Sequence, residues 1–178
     1  RLAHRYGIRE VSNYMLYNFN DKPEDLWRRL QINLDLKEEL GINIFSFPMK
    51  YIPVSHTNRD YIGPHWNKKY VRAIQAISLV KKGIVSTQRS FFHKAFGRNT
   101  EEYFEILMMP EDFIIYRFDF ERNGLAFEWQ EIYRSMDAQE KSILLECVKE
   151  NKVNIGPLFN RIPEKVDKIL PYYKISHK

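Results

Sequence analysis

The chain predicts an α/β fold with parallel strands, followed by a mainly helical C-terminal region. Three observations in its first fifty residues carry that prediction. Apolar and aromatic residues concentrate in two short runs, 11–17 and 42–47, separated by one long stretch of helical spacing. The second run, INIFSF, lacks polar–apolar alternation, which is how a strand covered on both faces reads. Turn-forming residues stand at 18–22, and Gly41 precedes the second run. Strand, polar turn, helix, glycine, strand is a βαβ unit, and such a unit pairs its strands in parallel with the helix laid on the sheet.

Each element has a local reason. Residues 1–6 read as the last turns of a helix. In the helix at 23–40, Asp21 is expected to cap the free amides, with Glu24 completing a capping-box spacing. Pro23 sits in the first turn, where a missing N–H costs nothing. Leu26, Leu30 and Leu34 form the apolar stripe, widened by Trp27 and Leu36, and Gly41 stops the helix. Pro48 is expected to close the second strand. Residues 55–67 carry loop chemistry in His56, Asn58, Asp60, Gly63, Pro64 and His65. A helix follows at 68–82, with Val71, Ile74 and Ile77 on one face and Gly83 as its stop. Residues 84–96 admit a short strand at Ile84, Val85 and Thr87, then a helical segment ending at Gly97.

Asn99 with Glu102 opens a helix through Met109, broken by Pro110. The run FIIYRFDF reads equally as a strand by alternation or as another helix. Asn123-Gly124 marks a turn, a helix occupies 125–135, and Asp137 with Glu140 caps a helix through Asn151. Ile155-Gly156-Pro157 reads as loop, and a short helix at 164–170 is expected to end at Pro171. The tail, 172–178, is expected to be poorly packed. The boundary between the α/β part and the helical part is expected near 58–67.

Composition narrows the function classes. The 178 residues are 44% hydrophobic, enough for a core, and no apolar run approaches the roughly 20 residues needed to span a bilayer. No pairing of a basic n-region with an apolar h-region marks a signal peptide. One cysteine, Cys147, excludes a disulfide framework and makes a reducing, cytoplasmic setting the default. The net charge of +5 hides its layout: residues 59–98 hold nine Lys or Arg and one acid, Asp60, whereas residues 100–150 hold thirteen acids and five bases. A basic block thus precedes an acidic one.

The first third of the chain carries a resemblance. Gly7-Ile8 with Val11, the run Asn13-Tyr14-Met15-Leu16-Tyr17-Asn18-Phe19-Asn20-Asp21, and the Pro-rich Phe47-Pro48-Met49-Lys50-Tyr51-Ile52-Pro53 resemble the fifth and sixth strands of a radical SAM core. The resemblance implies a partial (β/α) barrel whose strand ends touch S-adenosylmethionine. It implies contacts to the adenosyl group from Asn13, Leu16 and Asn18, and walls for adenine from Phe47, Pro48 and Met49. The superfamily's Cys-x3-Cys-x2-Cys loop is missing here. Three thiolates must hold three irons of a 4Fe–4S cluster, and one cysteine cannot. The expectation is therefore the C-terminal part of a longer radical SAM enzyme. Its partner would be the missing N-terminal half-barrel, its cluster would lie in that half, its substrate is open, and alone it would be inactive. Without the resemblance, Asn18 and Asn20 read as turn residues and Met49 as core.

Other chemistry is thin. His4, His56, His65, His93 and His177 show no metal-ligand spacing, although His56 and His65 share a loop. Cys147 on an amphipathic helix reads as a small buried hydrophobe rather than a nucleophile. No P-loop, Rossmann glycine pattern or nucleophile elbow is present. In the basic block, Tyr61, Trp66, Tyr70, Phe91, Phe92 and Phe96 alternate with Lys and Arg, which offers an alternative: a non-catalytic nucleic-acid-binding domain. Against it stands the expectation that the acidic block pairs with the basic one and that the core claims the aromatics.

Overall fold

A computed structural model describes residues 1–55, 58–85, 88–155 and 162–177. The expectations for His56, Thr87, Gly156 and Pro157 lie outside those residues. The chain divides into two compact units, each assembled from two segments: Arg1–Trp66 with Ile77–Phe104, and Asn67–Ala76 with Glu105–Lys178.

The first unit is built on the βαβ element. After a short helix α1 (Leu2–Arg5), strands β1 (Glu10–Tyr17) and β2 (Asn43–Lys50) pair in parallel over their whole lengths, from Glu10 opposite Asn43 to Tyr17 opposite Lys50. Helix α2 (Pro23–Leu40) buries Leu26, Leu30 and Leu34, the expected stripe. Gly41 ends it in the left-handed region at φ 62°, where glycine carries no Cβ penalty. The cap differs from expectation. Asp25 rather than Glu24 reaches back, accepting from the Lys22 amide at 2.9 Å. Asp21 instead accepts from the Phe19 amide at 3.0 Å and from Arg29 at 2.6 Å, so it shapes the turn and not the helix end.

Strand β2 also runs past Pro48, its expected end. The bonds at its two limits come from odd-numbered residues, Asn43 to Arg9 O and Tyr51 to Tyr17 O, both at 2.8 Å. Pro48 therefore faces its ring nitrogen to the outer edge, where no ladder bond is lost. On that edge, Val85 forms a single antiparallel bridge with Ser46, its amide 2.9 Å from the Ser46 carbonyl. The ambiguous stretch beyond it is helix α4 (Arg89–Phe96), which buries the stacked pair Phe92 and Phe96.

Helix α3 (Lys68–Val80) gives its first residues to the second unit and its last turn to the first, and helix α5 (Thr100–Met108) is likewise divided at Phe104. At the start of α5, Asn99 Oδ1 accepts from the Glu102 amide at 2.9 Å as expected, but the Glu102 carboxylate bonds Arg98.

In the second unit FIIYRFDF is helical, forming α6 (Glu111–Ile115) and α7 (Arg117–Arg122). Phe113 of α6 and Phe120 of α7 stack in the interior at 4.2 Å, across the break at Tyr116 that separates the two helices. Helix α8 (Leu125–Ser135) follows the Asn123-Gly124 turn. Helix α9 (Ala138–Val148) opens on the expected reciprocal box: Glu140 N to Asp137 at 2.8 Å and Asp137 N to Glu140 at 3.0 Å. It stops three residues early, where Asn151 turns left-handed at φ 57°. Helix α10 (Glu164–Ile169) continues as a 3-10 turn, Leu170–Lys174, across Pro171, which occupies an opening position of that turn.

The tail, over its described residues 172–177, is better packed than expected. The Tyr173 hydroxyl donates to Met108 O at 2.7 Å, Tyr172 meets Phe113 edge-on, and the His177 ring stacks on Tyr116 at 3.9 Å. Aromatic side chains bury enough area to hold a short terminal segment down. Elsewhere in this unit Glu105, almost fully buried, accepts from Arg134 at 2.7 and 2.8 Å and from Gln130 at 3.0 Å. Arg134→Met removes that carboxylate's counter-charge and leaves it only the Gln130 amide, and is expected to cost about 2 kcal/mol, reduced from the fully buried case because the guanidinium is mostly exposed; urea unfolding measures it. Among the described residues no helix is long and apolar enough to cross a membrane.

Candidate functional site

In parallel α/β sheets, ligands gather outside the carboxyl ends of the strands. Here those ends are Tyr17-Asn18-Phe19 and Lys50-Tyr51, and one side chain joins them. Asn18 is fully buried with φ 71°. Its Nδ2 donates to Tyr51 O at 3.2 Å and Tyr61 O at 3.0 Å, and its Oδ1 accepts from the Gly63 amide at 2.9 Å. The backbone comes so close there that a Cβ on Gly63 would lie 2.3 Å from Phe19 O. Trp66 closes the far side, donating from Nε1 to Asp21 O at 2.8 Å and packing against Tyr17. Above the junction Phe19, Tyr51 and Tyr61 form a chain of edge-on rings at 4.7 and 5.8 Å. Lys50 donates to Arg59 O at 2.7 Å, and partial burial lowers its ammonium pKa against the opposing pull of Asp60.

The six residues named from the sequence fall in three places. Leu16 and Met49 stand opposite each other, and Phe47 stands opposite Tyr14, all on the sheet face turned away from α2. Asn13 pairs with Ser46, which is bonded to Asn33 of α2; alternation therefore sets Asn13 and Pro48 on the helix-covered face. The Asn13 Oδ1 is buried without a partner among the described residues. Asn18 lies at the junction, with its amide group committed to three bonds within the fold.

The face holding Leu16, Phe47 and Met49 is uncovered. Tyr14 is 72%, Leu16 50% and Met49 45% exposed, although parallel sheets ordinarily have both faces covered. The outer edge of β1, carrying the amides of Ser12, Tyr14 and Leu16, has no strand beside it among the described residues. Flat apolar walls of this kind suit the rings of a nucleoside.

Among the described residues no group of His, Cys, Asp and Glu could hold a metal. Cys147 is buried, and burial raises its thiol pKa, which removes it as a nucleophile. In the basic block Lys68 pairs with Glu150, Arg72 with Glu111, Arg98 with Glu102, and Arg89 with Asp35 and Glu38. Trp66, Tyr70, Phe92 and Phe96 are core.

Two features are hidden from sequence reasoning. Gly63 reads only as turn chemistry, since its close approach to the end of β1 depends on a contact made across 45 residues. Lys69 reads as one more member of the basic block, yet it is only 1% exposed. The available signal is spacing: it stands four before Ala73 and eight before Ile77, on the buried face of α3.

The fold and site thus define an α/β chain whose two parallel strands end in a closed, aromatic-lined junction. Comparison with protein-family models, with curated proteins and with solved structures finds no match.

Proposed function

We propose that this chain is the C-terminal part of a radical SAM enzyme, completing one wall of a partial (β/α) barrel against an N-terminal half. The observation that carries the reading is the uncovered sheet face. A parallel βαβ unit with its helix on one side, bare aromatic and aliphatic side chains on the other, and a free β1 edge is what one sector of a barrel presents when its neighbours are absent. The resemblance of residues 7–21 and 47–53 to the late strands of that superfamily supplies the chemistry.

Two groups are implied, and they fare differently. S-adenosylmethionine would lie its rings against the apolar wall of Leu16, Phe47 and Met49. When bound, it would supply the adenosyl chemistry for hydrogen abstraction. Asn18 contributes indirectly, by holding Tyr51, Tyr61 and Gly63 together at the strand ends. A 4Fe–4S cluster does not fit this chain, whose single buried thiol cannot replace three, and no step through it is assigned to these residues.

The reading frame upstream decides the matter: a Cys-x3-Cys-x2-Cys loop is expected there, and an open frame without one overturns the assignment. Within the complete polypeptide, Leu16→Asp with Met49→Asp is expected to abolish S-adenosylmethionine cleavage. The same pair is expected to cost this chain about 1–2 kcal/mol of its own stability, because both side chains are half-buried and the two new carboxylates stand opposite each other, so urea unfolding accompanies the cleavage assay.

A further inference from the structure

A cleft of about 230 Å³ opens in the second unit, between the start of α3, the end of α9, the start of α6 and the C-terminal segment. It is smaller than pockets for drug-sized molecules, so its occupant is small. Lys69, Glu111, Asn151, Lys152, Lys174 and Ser176 line it. The Lys69 side chain spans from a backbone whose amide donates to Lys149 O to an ammonium bonded to Met109 O at 2.5 Å. An ammonium carries three donors, and this is its one acceptor among the described residues. Lys152 and Lys174 have no ion pair among the described residues.

The acids around the cleft are already engaged. Glu111 accepts from Arg72 and, at 3.1 Å, from Asn151 Nδ2. Asp112 accepts from the His177 amide at 2.7 Å. What remains unanswered is positive charge and hydrogen-bond donors. A buried ammonium short of acceptors carries a desolvation cost that an incoming anion relieves, and burial already draws the Lys69 pKa down to about 7.

We propose that this cleft binds a small oxyanion, a carboxylate or a phosphate-type group, held between Lys69 on its floor and Lys152 and Lys174 at its mouth. Neither the resemblance nor the open sheet face bears on it, so the site stands or falls separately from the barrel assignment.

The test is an amide NMR titration of the chain with sodium sulfate, and in parallel with sodium malonate, at ionic strength held constant with sodium chloride. Saturable shifts are expected at Asn151, Lys174 and Ser176, with a midpoint of about 1 mM for at least one anion. Saturation by sulfate alone assigns a phosphate-type ligand, and by malonate alone a carboxylate. Lys69→Met and Lys174→Gln are each expected to weaken binding about tenfold; Lys174 is exposed, so its replacement leaves the fold intact should Lys69→Met disturb it. Shifts that stay linear for both anions, that scatter over the surface, or that saturate undiminished in Lys174→Gln overturn the proposal.

Discussion

Asn18→Ala is expected to lower the unfolding free energy of the chain by about 4 kcal/mol, the largest single effect anticipated for the βαβ unit. Alanine leaves the Gly63 amide and the Tyr51 and Tyr61 carbonyls without the partners they now hold at 2.9, 3.2 and 3.0 Å. Each buried polar group left unpaired costs about 1–3 kcal/mol. Alanine must also adopt φ 71°, which adds about 1 kcal/mol that asparagine tolerates better. Asn18→Gly separates the two causes: it accepts the left-handed backbone but loses the same bonds, so it should recover only about 1 kcal/mol. Gly63→Ala approaches the same junction from the other side. Its Cβ meets the Phe19 and Asn18 carbonyl oxygens at 2.3 and 2.8 Å, both backbone atoms that cannot step aside, for a cost of about 3 kcal/mol. Urea unfolding followed by circular dichroism reads all three. An Asn18→Ala midpoint equal to wild type would show that the junction closes without this side chain.

Lys69→Met is expected to flatten the pH dependence of stability between about pH 7 and 9 and to make the protein more stable at neutral pH. In the folded chain burial holds the Lys69 ammonium at about 7, only partly offset by Glu111; in the unfolded chain it titrates near 10.5. Between those values the unfolded state binds more protons, so stability rises with pH through the window. Below about pH 7 both states are protonated and the slope vanishes. One pH unit inside the window is worth about 1.4 kcal/mol, so wild type should gain about 2 kcal/mol from pH 7.5 to 9. Lys50, also lowered by burial, adds a smaller slope of the same sign. Above about pH 9 the slope reverses for Cys147 and Tyr17, whose pKa values burial raises, and the measurement belongs below that point. Methionine keeps the volume and removes the buried charge, which is neutral to stabilising when the packing is good. The Met109 carbonyl loses its donor, which trims the gain to about 1–2 kcal/mol. A variant that keeps the full wild-type slope would place that titration on another group.

Much of the scaffold is legible in the order of residues alone. The two parallel strands, the helix between them at 23–40, its stop at Gly41 and the Asp137–Glu140 box follow from residues within a turn or two of each other. Local rules mislead where two of them compete. FIIYRFDF alternates like a strand, yet it folds as two short helices broken at Tyr116, and what favours them is the interior of the second unit, where Phe113 and Phe120 stack. Pro48 resembles a terminator because its direction relative to β1 is a property of the pairing, not of proline. Asp21 resembles a cap because three candidate acids crowd one turn, and geometry gives Asp25 the work.

The candidate site divides in the same way. Leu16, Phe47, Met49 and Asn18 can be named from the chain alone, together with the strand ends that carry them. Alternation along paired strands is a period of two, and register then decides which of them share a face. Local sequence thus determined the order, direction and apolar character of the elements, because caps, turns and periodicity act over a few residues. Only the tertiary structure decided that Asn18 is spent on closing the junction, that Asn13 faces the helix, that Lys68, Arg72, Arg89 and Arg98 of the basic block pair with acids, and that Lys69 is buried. Burial and hydrogen-bond partnership are set by neighbours tens of residues away, and no local pattern encodes which neighbours those will be.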